Sequence, residues 1–196
     1  MKQSFKTVKV GVCDCFWTPR PTDSDPNPDE FYLGLTKGGV KFSYTPKYHE
    51  ITVDQFGNSA TESVLLGEDV SAAIPLAETS IEKLALSCPT ATQLIDSGTG
   101  KLKKLLYGSR PGIRLEGTAG TLRLHPIAMG SSKEEDIVIF KAVNKGAMEL
   151  PYKLDEETIY NANFIGTVER ASLEEELSGE AVPFLFAIGD PSIPIE

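Results

Sequence analysis

Val40-Lys41-Phe42-Ser43-Tyr44-Thr45-Pro46 alternates apolar and polar side chains up to a proline, and Glu50-Ile51-Thr52-Val53-Asp54 resumes the alternation. A period of two puts every second side chain on one face, the pattern of a half-buried strand. The two segments predict a hairpin whose connection lies near Pro46-Lys47-Tyr48, where proline removes a backbone donor. Downstream, Val70, Ala72, Ile74 and Leu76 alternate with Asp69, Ser71 and Ala73, a third strand with one apolar face. Val40, Phe42, Tyr44, Ile51, Val53, Val70, Ala72, Ile74 and Leu76 are therefore expected on one buried face, packed against Ile137 to Phe140. Between the hairpin and the third strand, Phe56-Gly57-Asn58 opens a polar stretch through Ser59 to Ser63 that reads as a mobile loop.

Outward from this centre the chain is mostly strands. Thr7 to Trp17 reads as a strand, followed by a loop with prolines at 19, 21, 26 and 28. Ile81, Leu84, Ala85 and Cys88 follow helical spacing, with Thr79 or Ser80 as cap and Pro89 as stop. The apolar stripe is narrow, so this one helix is expected outside a sheet. Residues 91–120 are rich in Gly, Ser and Lys and fit an excursion or a strand pair equally. Thr121 to His125 reads as a short strand. Asp136 to Val143 is apolar nearly throughout, as in a strand covered on both faces. Thr158 to Arg170, bending at Gly166, and Pro183 to Asp190 complete the set. Many strands, one helix and frequent turn residues predict a mainly β fold: an antiparallel β-sandwich or barrel with one flanking α-helix, long loops and terminal arms. The 196 residues fit a single domain, with an N-terminal strand and Pro-rich arm at 1–33 and a C-terminal arm at 190–196.

The charge is uneven. Residues 1–145 carry 17 acidic and 17 basic side chains, whereas 146–196 carry 11 acidic and 2 basic, including the run Leu173-Glu174-Glu175-Glu176-Leu177. A net charge of −9 does not offer DNA the cationic footprint on which tight binding depends. No run approaches the roughly 20 apolar residues of a membrane helix. The lysines near the N-terminus precede no apolar h-region, so a cytosolic product without a membrane association is expected.

No motif of catalysis stands out. Walker-type and His-Glu-x-x-His patterns are absent from the sequence, and Asp96-Ser97-Gly98-Thr99-Gly100 only superficially resembles a nucleophile elbow. His49 and His125 are isolated in sequence, with no recognisable partner. Cys13 and Cys15 share a strand face, but with Cys88 they make neither a disulfide framework nor a metal-ligand spacing. No enzyme activity, cofactor or metal site is expected.

Two stretches carry a resemblance: Gly34 to Pro46 continuing through Glu50 to Gly57, and Asp136 to Val143 with Phe186-Ala187-Ile188-Gly189-Asp190. A hairpin, a polar loop, a strand reading V-x-A-x-I-P-L-A-E and a capped helix follow one another in the same order. Together they resemble the tail tube proteins (major tail proteins) of long-tailed bacteriophages. The resemblance implies a structural virion protein, made in the cytoplasm of the host bacterium and ending in the virion tail. Its copies would form hexameric rings that stack into a hollow tube, meeting the tape-measure protein and other tail proteins and passing DNA without holding it. Tail terminators and secretion-type tubes share that fold and stay open as readings. On this footing Lys41, Glu50, Asp54 and Asp69 are expected to face the lumen. The loop with Phe56, Gly57, Asn58, Glu62 and Gly67 is expected to reach the next ring, although an ordinary mobile loop has the same composition. The competing class is a β-sandwich that binds carbohydrate or peptide, for which Trp17, Tyr32 and Tyr48 are the candidate platform.

Overall fold

The computed structural model describes residues 11–22, 25–87, 90–109, 111–168 and 184–193. Cys88, Pro89, the acidic run 173–177 and the outer parts of both expected arms lie outside the described residues, as do Thr7 to Val10 of the expected first strand. Ten strands occur among the described residues: β1 (Cys13–Pro19), β2 (Phe31–Tyr32), β3 (Lys41–Thr52), β4 (Ala60–Leu76), β5 (Thr92–Ile95), β6 (Leu102–Leu106), β7 (Gly120–Pro126), β8 (Ile137–Asn144), β9 (Tyr160–Gly166) and β10 (Phe186–Ile188). A single short α-helix, α1 (Ile81–Ser87), follows β4, with Ser80 Oγ accepting from the backbone N–H of Lys83 at its start.

The main sheet is antiparallel in the order β2-β1-β7-β8-β9-β4-β3, with β10 on β8. Its two ends approach one another through the chain between β2 and β3. Leu33 donates to Cys15 of β1, while Lys37 donates to Pro75 and Ala77 to Leu35 beside β4. The sheet thus curls into a barrel-like enclosure. One core cluster fills it: Cys15, Trp17, Leu33, Val70, Ala72, Ile74, Leu76, Leu122, Leu124, Ile139, Ala142, Tyr160, Ala162 and Phe164. β1, β4, β7 and β9 each contribute alternate residues, as the pleat requires. β8 is buried on both faces along most of its length, as its unbroken apolar run predicts. Leu84 and Leu86 of α1 lie against the same cluster.

The hairpin differs from the expectation. Pro46 does not end a strand; Lys41–Thr52 is continuous, and the turn falls at residues 53–59. Among the described residues β3 is an edge strand paired with β4 alone, and an edge tolerates proline because a missing N–H on the open side costs no ladder bond. The polar stretch expected to be a mobile loop is accordingly half turn, half strand: Ala60 onward belongs to β4. This moves part of the predicted core. Val70, Ala72, Ile74 and Leu76 are buried, and Val40 and Phe42 pack against the cluster. Tyr44 is 42% exposed, while Ile51 and Val53 are both 37% exposed. With no turn at Pro46, odd-numbered Ile51 falls on the ribbon face opposite Phe42 and Tyr44. Residues 92–106, ambiguous in sequence, form a separate two-stranded sheet of β5 and β6.

Candidate assembly interface

β3 and β4 pair from Lys41↔Ala73 to Thr52↔Ala60, with irregularities after Lys47 and after Ile51. Only the root of this ribbon belongs to the barrel. Beyond Val70, β4 pairs among the described residues with β3 alone, because its pairing with β9 covers Val70 to Leu76. Every residue from Lys47 round the tip to Leu66 is exposed. The projecting part is eight residues of β3 from Thr45 to Thr52 plus the turn, roughly 25 Å at about 3.3 Å per residue. The root is pinned by Phe186 of β10, whose ring centroid lies 5.2 Å from that of Phe42 and 5.3 Å from that of Tyr44.

The arm is neither bland nor disordered. Its tip is a one-turn 3-10 helix at Asp54–Phe56, closed by Gly57 at φ +62°, a conformation that glycine adopts without strain. Thr61 Oγ1 donates to the Ile51 carbonyl at 2.9 Å across the second irregularity. Its exposed apolar side chains include Tyr48, Ile51, Val53, Phe56, Val64, Leu65 and Leu66, with Phe56 66% and Leu66 69% exposed. Tyr48 and Leu65 sit opposite each other and form an apolar cross-strand pair. Alternation along β3 puts this pair on the face of Pro46 and Glu50. Glu68, opposite Pro46, shares that face and accepts from the Tyr44 hydroxyl. Over residues 45–69 five carboxylates (Glu50, Asp54, Glu62, Glu68, Asp69) stand against Lys47 alone, which is bridged to Asp69 at 2.6 Å.

The residues expected to face a lumen are all on this ribbon, but they do not share a face. Lys41 and Asp69 lie on the side turned away from the core, with Ser43 and Ser71. Glu50 lies on the other side, opposite Ser63, and Asp54 is in the tip. The reason is again the unbroken strand: Lys41 and Glu50 are nine positions apart, an odd number, so the pleat puts them on opposite faces. Of the residues assigned to an inter-ring loop, Phe56, Gly57 and Asn58 form the tip, whereas Glu62 and Gly67 sit within β4, opposite Ile51 and Lys47.

A second charged site was not legible as such. Arg123 on β7 holds Glu30 through Nε and Nη2 at 2.8 and 2.6 Å, and holds Asp136 through Nη1 at 2.9 Å. Its guanidinium lies 4.1 Å from the centroid of Phe16. Asp136, fully buried, also accepts from His125 Nδ1 at 2.6 Å, and His125 Nε2 meets the Gly130 carbonyl at 2.9 Å. An acceptor at each ring nitrogen favours the imidazolium, so the hydrogen bond to Asp136 above all holds the His125 pKa above its ordinary value. His125 thus has a partner that sequence reading missed. The signal was available: Leu124 pairs with Ile137, so closing the β7–β8 hairpin makes His125 and Asp136 neighbours. With both nitrogens engaged, the imidazole joins two strands and a turn and is not placed to act as a base. Among the described residues no group of three or more His, Cys, Asp or Glu is arranged to hold a metal ion.

The aromatic platform considered for a binding module is not assembled. Trp17 is in the core, 3% exposed, and Tyr32 donates to Asp14 on the sheet edge, remote in the strand order from Tyr48 on the arm. No protein-family model and no curated protein matches the chain.

Proposed function

We propose that the chain is a structural, self-assembling subunit whose copies form hexameric rings, and that the rings stack into the hollow tail tube of a long-tailed phage. The observation that carries this reading is the β3–β4 arm. A two-stranded ribbon that buries none of its own side chains is marginal in water. This one nevertheless continues as strand from Thr45 to Thr52 beyond the root and presents exposed Tyr48, Leu65 and Leu66. Apolar surface of that kind gains cover when another chain packs on it. The sequence resemblance supplies the kind of assembly, and a mainly β enclosure with one short helix agrees with it. The net charge of −9 suits a channel that passes DNA, because cations touching phosphates would release counterions and retain the strand.

Electron microscopy of concentrated purified protein tests the reading. Rings of six copies, or tubes built from them, are the expected result. A chain that stays monomeric at every accessible concentration overturns it.

A further inference from the structure

The β5–β6 hairpin is the counterpart of the arm in charge. Among the described residues it is a sheet of its own, with no ladder to the barrel, and its turn closes on Asp96. The Asp96 carboxylate is directed into that turn, accepting from the N–H groups of Gly98 and Thr99 at 2.9 Å each. Lys101, Lys103 and Lys104 are all exposed, Lys104 opposite Leu94 and Lys103 at the irregularity that follows that pair. Lys101 is close enough to Glu82 of α1 to help hold that carboxyl below its ordinary pKa, behind Glu82's own backbone N–H and Ser80. Lys103 and Lys104 therefore carry most of the outward positive charge.

The register sorts the apolar residues. Thr92↔Leu106 and Leu94↔Lys104 share one face; Gln93↔Leu105 shares the other with Ile95↔Leu102. Leu102 and Leu105 are half-buried on the side of the helix, where Ile95 at the hairpin end is 63% exposed, while Leu94 is 44% and Leu106 42% exposed on the far side. The outward face thus carries Leu94 and Leu106 beside Lys104, with Lys103 next to it at the irregularity. The arm offers the reciprocal arrangement: Tyr48 and Leu65, flanked along the ribbon by Glu50 on one side and Glu68 on the other.

We infer that the arm of one copy docks its Tyr48–Leu65 face on the Leu94–Leu106 face of a second copy, with Glu50 and Glu68 against Lys103 and Lys104. The two surfaces differ, so the contact is head-to-tail. Repeated from copy to copy it closes into a ring or continues as a stack, according to the rotation between copies. The occupant is another copy of this chain because the complementary charge and the complementary apolar pair are both carried here. This inference deepens the tube-subunit reading and rests on it for the form of the closed assembly.

Charge exchange tests it in the full chain. One variant carries Glu50→Lys and Glu68→Lys, a second Lys103→Glu and Lys104→Glu, and a third all four. All four positions are exposed, so each variant should keep the wild-type circular dichroism. Self-association is followed by analytical ultracentrifugation at low and high salt, with micrographs of each sample. Each two-site variant should associate roughly tenfold or more weakly than wild type, because like charges then face each other across the contact. The four-site variant, or a mixture of the two two-site variants, should recover association. The differences should shrink at about 1 M salt, where the screening length falls to about 3 Å.

Rings that form equally well in both two-site variants, or a four-site variant that stays dissociated, overturn the docking and leave the tube reading standing. Charge-sensitive association into dimers or filaments without rings does the reverse. A wild-type chain that never associates overturns both.

Discussion

The rings of Trp17 and Phe164 lie with centroids 5.1 Å apart, although the strands that carry them are not hydrogen-bonded neighbours. β7 and β8 intervene in the sheet order, so the contact spans the interior of the curled sheet. Trp17 is the sole tryptophan, and its fluorescence therefore reports on this packing alone. Phe164→Ala should remove about 3–5 kcal/mol of stability in urea titrations and shift the native emission to the red as water gains access to the indole. Stability within about 1 kcal/mol of wild type, with unchanged emission, would place Phe164 outside the core.

Gly120 is required by close approach. A Cβ there would lie 2.5 Å from the Thr18 carbonyl oxygen and equally close to the Trp17 ring. The carbonyl belongs to the paired strand and cannot rotate away. Gly120→Ala should cost about 1–3 kcal/mol. Gly67→Ala is the control: no atom lies within 4 Å of that Cβ and its φ is not positive, so thermal denaturation should show almost no change.

The pH dependence follows from His125. Its pKa is raised in the folded chain, so the native state holds a proton more tightly than the unfolded state does. Stability from this group is complete below the unfolded value, about 6.5, and is lost as pH rises from there through the folded value. Denaturation profiles of wild type should fall across that window more steeply than those of His125→Gln. Parallel profiles would show that the imidazolium contributes nothing to the network with Asp136, Arg123 and Glu30.

Asp136 is the anchor of that network. It is fully buried and accepts from both Arg123 and His125. Asp136→Ala leaves a guanidinium and an imidazolium without their shared anion and should cost about 3–5 kcal/mol. Glu30→Ala should cost far less, because the Glu30 side chain is 37% exposed and water can replace it. A urea titration of the pair checks the ranking, and equal losses would contradict it.

The arm should be dispensable for folding. Residues 47–66 bury nothing. Replacing residues 47–67 by Asn-Gly, which joins Pro46 to its partner Glu68 through a two-residue turn, should leave stability within about 0.5 kcal/mol of wild type. The shortened chain should be soluble and unable to assemble. Rings formed by it would show that the arm is not the interface, and failure to fold would show that the arm belongs to the core.

Much of this architecture was determined by local pattern. Alternation gave the strands around Phe42 and Ala72, the unbroken run from Ile137 to Phe140 gave a strand covered on both faces, and the helical spacing of Ile81, Leu84 and Ala85 behind Thr79 or Ser80 gave the helix. Side-chain period and backbone chemistry act over a few residues, so a sequence displays them directly. Pro46 was misleading for a physical reason. A proline ends a strand unless its missing donor faces the open side of a sheet edge, and edge position is a property of the whole sheet. That one fact moved the turn to residues 53–59, put Glu50 on the face opposite Lys41, and turned a supposed loop into half of a projecting ribbon. The union of His125, Asp136, Arg123 and Glu30 likewise depends on β7 closing on β8 and on the long chain before β3 returning beside β1. Composition could state that the molecule is acidic, and local pattern that it is mainly β. Only the tertiary structure decided which acids stand beside exposed apolar residues, because exposure is set by what the rest of the chain leaves uncovered.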